Sequence, residues 1–390
     1  METLRTLPLP VAVRRPGLDA LRGWATVLVV MLHAGVPYTV APMPGLPWPV
    51  RHTAVSPTVD GLFWGIEGFI MPLFLFLSGY GAAQSWQAKP REFLASRWRR
   101  LGWPMLAAMA VILPLELYIW LTGWALDGQI EWVKLRSLNL QAYHQDLWGL
   151  SHLWYLEYLL LYCALFWTGA RWLAQRDRWR ERLNVSSTSL LLLTVPVLWL
   201  WPEVIVGFQH GFFPACNKFV FSGLFFFAGI TEFHRPTKPL FRPLTAGIIG
   251  VALLAGLLPL IHRQAAVPLE GSERLVLACG LAAFAILAVT TAWHVAWKST
   301  RPTPRVVATL AQASFWIYLV HHPLVAIGQI ALRPTGWPAL WQFTLCTLGT
   351  LAISLASYEW LVRPTRMGAF FEGRSRQPSV GDAITPRRAA

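Results

Sequence analysis

The sequence predicts an all-α fold, a polytopic integral membrane helical bundle of about ten transmembrane helices with both termini cytoplasmic. Three observations predict it. Of the 390 residues, 55% are hydrophobic and 13% charged, against the ~25% charged expected of a soluble domain. The apolar residues gather in runs near the ~20 residues that a bilayer crossing needs. Twenty-two tryptophans suit aromatic belts at two membrane interfaces.

Spans are expected at 23–40, 61–84, 102–123, 149–170, 187–207, 217–233, 244–262, 273–297, 306–332 and 338–362. The fifth is the weakest, because Pro196 and Pro202 interrupt it. The net charge of +14 is explained by topology. When the connections are numbered alternately from a cytoplasmic N-terminus, the 33 lysines and arginines all fall inside except Arg51, Lys134, Arg136, Lys218, Arg263, Arg274 and Arg333. That is the positive-inside rule, with contact to anionic lipid as a lesser contribution. Nucleic acid is therefore not an expected partner.

The basic N-terminus before an apolar run resembles a signal peptide. No A-x-A-like site follows His33, so the run is expected to be an uncleaved first helix. The localisation expected is the bacterial inner (cytoplasmic) membrane, multi-pass. Cys163, Cys216, Cys279 and Cys346 stand singly, and neither a zinc site nor a disulfide framework is expected. No G-x-x-x-x-G-K-[ST] or G-x-G-x-x-G occurs, so no ATP- or dinucleotide-cradling loop is expected.

Residues 1–365 are read as one membrane domain and 366–390 as a cytoplasmic tail, whose Ser, Pro, Gly and Arg predict disorder. The connection at 124–148 mixes charges with Trp124, Trp132 and Trp148. It is too short for a core of its own and reads as an amphipathic segment roofing a cavity on the outer surface. No repeat stands out, which disfavours a repeat-built transporter.

Polar residues at bilayer depth point to function. Arg22 and His33 are eleven residues apart. On a helix that spacing returns to within roughly 20° of one face and spans about 16 Å. Asp19 and Arg22 alone would equally suit capping of the first helix at the interface. Glu67 lies about two turns below the expected outer surface, where it could face a wet cavity, and its role is open; Ser78 and Gly79 permit close helix packing. Arg97, Arg99 and Arg100 precede Pro104, which opens the next helix. They are either positive-inside anchors or a phosphate-binding patch beside Arg22. At the fourth span, His152 pairs with Tyr155, and Trp154 shares a face with Glu157 and Tyr158. That is an interfacial belt, or an aromatic platform with a carboxylate that suits a sugar. Ser314, Tyr318 and His321 share a face of the ninth span, with His321 expected nearer the outside than His33. His322 follows, but adjacent helix side chains diverge by ~100° and do not chelate one ion. No metal is expected.

Four stretches together resemble the integral-membrane acyltransferase family called acyltransferase 3. They are Gly17-Leu-Asp-Ala-Leu-Arg22 with His33 eleven residues beyond Arg22, Phe74-Leu-Phe-Leu-Ser78-Gly79-Tyr80, Ser151-His152-Leu-Trp154, and Ser314-Phe-Trp-Ile-Tyr318-Leu-Val-His321-His322-Pro323. With Arg100-Leu-Gly-Trp-Pro104-Met and Tyr358-Glu359, the chain looks most like the glucan biosynthesis protein C branch, associated with adding succinyl groups to periplasmic glucans. The resemblance covers about residues 15–365. It implies an acyl-CoA co-substrate on the cytoplasmic side, no further cofactor, and a glycan hydroxyl as acceptor on the far side. It also makes Arg22 and His33 the functional pair.

The residue chemistry fits. A hydroxyl attacking a thioester needs a base, and imidazole is the usual one near neutral pH. Arg22, Arg97 and Arg100 would bind the donor's phosphates. His152, Trp154, Glu157, Tyr318 and His321 would position the acceptor. Asp19, Glu67, Ser78 and Glu359 complete the candidates. The acyl group (acetyl or succinyl), the choice between base and acyl-histidine, and the oligomeric state are not legible. The rival class is a transporter or flippase, since scattered intramembrane Glu and His also suit a proton relay.

Overall fold

A computed structural model describes residues 15–50, 54–133, 149–174, 186–208, 211–365 and 368. The expected tail, and most of the expected roof with Trp148, lie outside the described residues. Every regular element among the described residues is helical. The order is α1 (Pro16–Gly35), α2 (Pro57–Glu67), α3 (Ile70–Ala88), α4 (Phe93–Arg97), α5 (Trp103–Leu126), α6 (Trp154–Ala174), α7 (Ser187–Leu192), α8 (Thr194–Leu200), α9 (Cys216–His234), α10 (Pro243–Ala266), α11 (Gly271–Lys298), α12 (Arg305–Leu332) and α13 (Ala339–Ser357).

Helix is present in each of the ten expected spans. Seven helical segments are long and apolar enough to cross a membrane: Pro16–Tyr38, Pro57–Ala88, Phe93–Leu126, Pro243–Ala266, Gly271–Lys298, Arg305–Thr335 and Ala339–Val362. The protein is a multi-pass membrane protein. α6 and α9 are long enough but less apolar. The fifth expected span needs correction. Its helix is in two pieces and stops at Leu200, where Trp201 leaves helical geometry before Pro202. A proline disfavours helical geometry in the residue before it, so Trp201 cannot continue the helix.

α1 starts earlier than its apolar run. Pro16 sits in the first turn and Asp19 follows, a combination that suits a helix N-terminus. Arg22 is consequently nearly two turns inside the helix. α1 is the central rod, packed against α2, α11, α12 and α13 and touching α3. Ala25, Val29, Val30, Leu32 and Ala34 bury its apolar face.

α3 and α9 cross closely because two glycines meet at the crossing. A Cβ on Gly79 would lie against the carbonyl oxygen of Phe226, and one on Gly229 against that of Phe76. Both neighbours are backbone and cannot rotate away. Gly79→Ala must therefore push the helices apart. We expect a loss of about 1–3 kcal/mol, read as a lower thermal midpoint in detergent. Gly247→Ala, at a site with open space around the added carbon, should show no such loss. Equal midpoints for the two variants would refute the close crossing.

Candidate active site

A cavity of about 820 Å³ runs through the bundle beside α1. Asp19, Arg22, Thr26 and His33 line it from α1, so the face predicted from the eleven-residue spacing is a wall of real space. The cavity has three chemically distinct stretches.

At the N-terminal end of α1 the walls carry Arg22, Arg97 and Arg100, with Asp19 and Ser78. Arg22 is paired with Asp19 at 3.7 Å and keeps about half its side chain exposed. Arg97 is held more firmly. Its Nη2 donates to the Gly81 carbonyl at 2.9 Å and to Ser85 Oγ at 2.8 Å. Ser78 Oγ meets the Tyr155 hydroxyl at 2.7 Å, so Ser78 joins α3 to α6 at the cavity wall. Arg99 is not among the lining residues.

The middle stretch is a histidine cluster. His33, His152, His321 and His322 all line it. His33 Nδ1 lies 2.9 Å from the Val29 carbonyl and 3.3 Å from His321 Nε2. His321 Nδ1 faces the Tyr318 and Ile317 carbonyls at 2.8 and 3.0 Å. Carbonyls only accept, so His321 carries its proton on Nδ1 and leaves Nε2 a lone pair. His33 then carries its proton on Nδ1, shared between Val29 and His321. Its Nε2 is left as a bare lone pair, with no hydrogen-bond partner among the described residues. His321, expected nearer the far surface, thus stands level with His33 and sets its tautomer.

Backbone chemistry holds His152 in the same cluster. Pro323 has no N–H, so the carbonyl of Leu319 four residues back lacks its helical donor. His152 Nε2 donates to that carbonyl at 3.2 Å, and the Tyr318 hydroxyl donates to the His152 carbonyl at 2.6 Å. His152 and Tyr318 are therefore fixed to each other inside the bundle. Gln329 supports His33 from the other side. Its amide nitrogen donates to the carbonyls of His33 and Ala34 at 3.2 and 3.1 Å, and its oxygen accepts from Trp48 Nε1 at 2.7 Å.

The third stretch is lined by Trp154, Glu67 and Lys218, with Phe63 and Phe208. Lys218 Nζ sits 3.7 Å above the Trp154 ring, a cation–π contact. Glu67 is the last residue of α2, where Gly68 and Phe69 break the rod before α3.

Two sequence candidates stand apart. Glu157 does not line the cavity. Glu359 does not line it either, and pairs with Arg363 at 2.6 Å. Three participants were missed by the sequence reading. Glu116, buried on α5, meets His322 Nδ1 and lies 3.7 Å from His152 Nδ1. Its carboxylate in the middle of an apolar run was a usable signal. Lys218 had been counted only as an outer charge, and Gln329 carried no signal beyond being an amide at depth.

The comparisons with known proteins agree with this architecture. A family model described as an acyltransferase domain matches residues 15–359. Curated relatives named glucans biosynthesis protein C are similar over nearly the whole chain. The one from Escherichia coli O6:K15:H31 is 25% identical over 94% of this chain and 96% of its own length. The one from Salmonella typhi is 23% identical over 95% and 97%. No solved structure matches. A domain match that takes in nearly every helix, α1 through α13, places the chain in the acyltransferase 3 family, and it is a membrane acyltransferase.

Proposed function

We propose that this protein is an integral membrane O-acyltransferase that moves an acetyl or succinyl group from acyl-CoA at the cytoplasmic face to a hydroxyl of a periplasmic or cell-surface glycan, with a glucan as the leading candidate. In this reading residues 1–365 form the membrane domain in the bacterial inner membrane. Ten helices cross it, both termini are cytoplasmic, and 366–390 are a tail. The observation that carries the reading is the single cavity joining the arginine-lined end, the bare Nε2 of His33 and the Trp154–Glu67–Lys218 end. The names of the relatives support a glucan acceptor.

The chemistry follows from the groups in order along the cavity. Arg22, Arg97 and Arg100 bind the phosphates of the donor, and its flexible arm carries the thioester inward. The acceptor hydroxyl approaches from the Trp154 end, where Glu67 and Lys218, the latter seated over the Trp154 ring, offer polar partners to the sugar. His33 Nε2 takes the hydroxyl proton as the oxygen bonds to the thioester carbonyl carbon. The tetrahedral intermediate collapses, the C–S bond breaks, and the proton passes from His33 to the departing thiolate. His321 and Tyr318 act as positioning residues, holding His33 and His152.

His33→Ala should lower acyl transfer by about 10²–10⁴-fold, the usual contribution of a general base, while the protein still inserts and folds. Activity within about threefold of wild type would make His33 structural. Arg22→Ala should raise the KM for acyl-CoA, with Arg22→Lys rescuing only in part, because an ammonium cannot fork phosphate oxygens. Full activity with lysine would mean that only charge was needed. For the acceptor, mass spectrometry of glycans from cells with and without the gene should show lost ester substituents. Unchanged glycans alongside an altered lipid or small-molecule pool would overturn the glycan while leaving acyl transfer in place.

A further inference from the structure

The histidine cluster holds a second set of groups that the reaction above does not use. Glu116 of α5, His152 before α6 and His322 of α12 come from three separate elements, and all three are buried. One potential ligand atom from each lies within 4.8 Å of the other two. Glu116 Oε1 and His152 Nδ1 are 3.7 Å apart, close to the roughly 3.4 Å between two ligands on a tetrahedral zinc ion.

Hydrogen bonding alone leaves this cluster incomplete. His152 donates its Nε2 proton to the Leu319 carbonyl, so its Nδ1 is a lone pair. That nitrogen lies 3.7 Å from a carboxylate oxygen of Glu116, which is also an acceptor. His152 Nδ1 and Glu116 Oε2 are both buried without a hydrogen-bond partner. Buried acceptors facing one another are unfavourable unless something positive lies between them. The contact of His322 Nδ1 with Glu116 Oε1 accounts for one proton and satisfies neither orphan.

We propose that Glu116, His152 and His322 form a binding site for a divalent transition-metal ion, zinc foremost. Two imidazoles and one carboxylate with a remaining open position are the ligand set of a catalytic zinc. The other expected parts of such a site are in place. The His152 Nε2 donation to a backbone carbonyl orients the ligand and fixes its tautomer, as outer partners of metal-bound histidines do. Trp120 stacks on His322 with ring centroids 5.2 Å apart, and Trp48 stands edge-on to it at 5.1 Å, giving the site an apolar wall. His152 and His322 both line the cavity, so the open position faces the space that substrates would occupy. The His322 ring centroid is 4.8 Å from that of His33. A metal there would act as a Lewis acid on an oxygen held next to the base. The inference departs from the sequence expectation of no metal. His321 and His322 still do not share an ion. His322 finds its co-ligands on α5 and just before α6.

The test uses the full-length protein, purified in detergent through a tag without histidines and without chelators. Elemental analysis should find about one transition-metal ion per chain. Chelator dialysis should lower the thermal midpoint, and added Zn²⁺ should restore it. Co²⁺ in place of Zn²⁺ should give the visible absorption of a tetrahedral site, and Glu116→Gln should abolish that band. Wild-type protein without stoichiometric metal, with neither a midpoint shift nor an absorption band on adding Zn²⁺ or Co²⁺, overturns the proposal. So does a Co²⁺ band unchanged in Glu116→Gln. Both readouts are independent of turnover, so their failure would leave the acyl-transfer reading untouched.

Discussion

A titratable ring inside an apolar bundle must have its nitrogens accounted for, and the structure is arranged around that need. His33 is the central case. Its Nδ1 proton is shared between its own helix and His321, which ties α1 to α12 at the middle stretch of the cavity. His321 can accept only because its own proton is committed to two carbonyls of α12. A chain of fixed tautomers thus leads from backbone to His33 and leaves one nitrogen available. Water would scramble those assignments. Burial of His321 preserves them.

The bundle meets that need with features usually regarded as defects in helices. Pro323 lies within α12, and the carbonyl it frees becomes the anchor for His152. Gly79 and Gly229 remove side chains where α3 and α9 cross, which sets α3, and with it Ser78, against the cavity. The break between α2 and α3 leaves Glu67 at a helix end. Each is a departure from an ideal transmembrane helix, and each brings a polar group to the same interior space.

The parts of this arrangement that depend on one helix were legible in the sequence. The Arg22–His33 face followed from helical spacing alone, and the face of Ser314, Tyr318 and His321 did too. The parts that depend on two distant helices were not. Glu116 and His322 are 206 residues apart, and no local pattern links them. The heights of His33 and His321 were misjudged because apolar runs reveal where a span lies, not how neighbouring spans are offset. The fifth expected span, 187–207, extends too far for a related reason: hydropathy continues past Leu200, whereas the helix ends before Pro202. Glu157 was drawn toward the aromatic platform by its neighbours Trp154 and Tyr158, but its place on α6 does not reach the cavity.

The amide of Gln329 has a consequence for how the protein loses activity. It binds the carbonyls at the end of α1 and the indole of Trp48 at once, and Trp48 belongs to the irregular connection between α1 and α2. Non-helical segments open at lower free energy than packed helices. Loosening of that connection would withdraw Trp48 from Gln329 and from the ring of His322 while the helices stay packed. Inactivation by mild heat or harsh detergent would then precede loss of helicity, and would reverse when the connection settles back. The durability of the proposed catalytic centre is therefore that of a loop, not of the bundle that surrounds it.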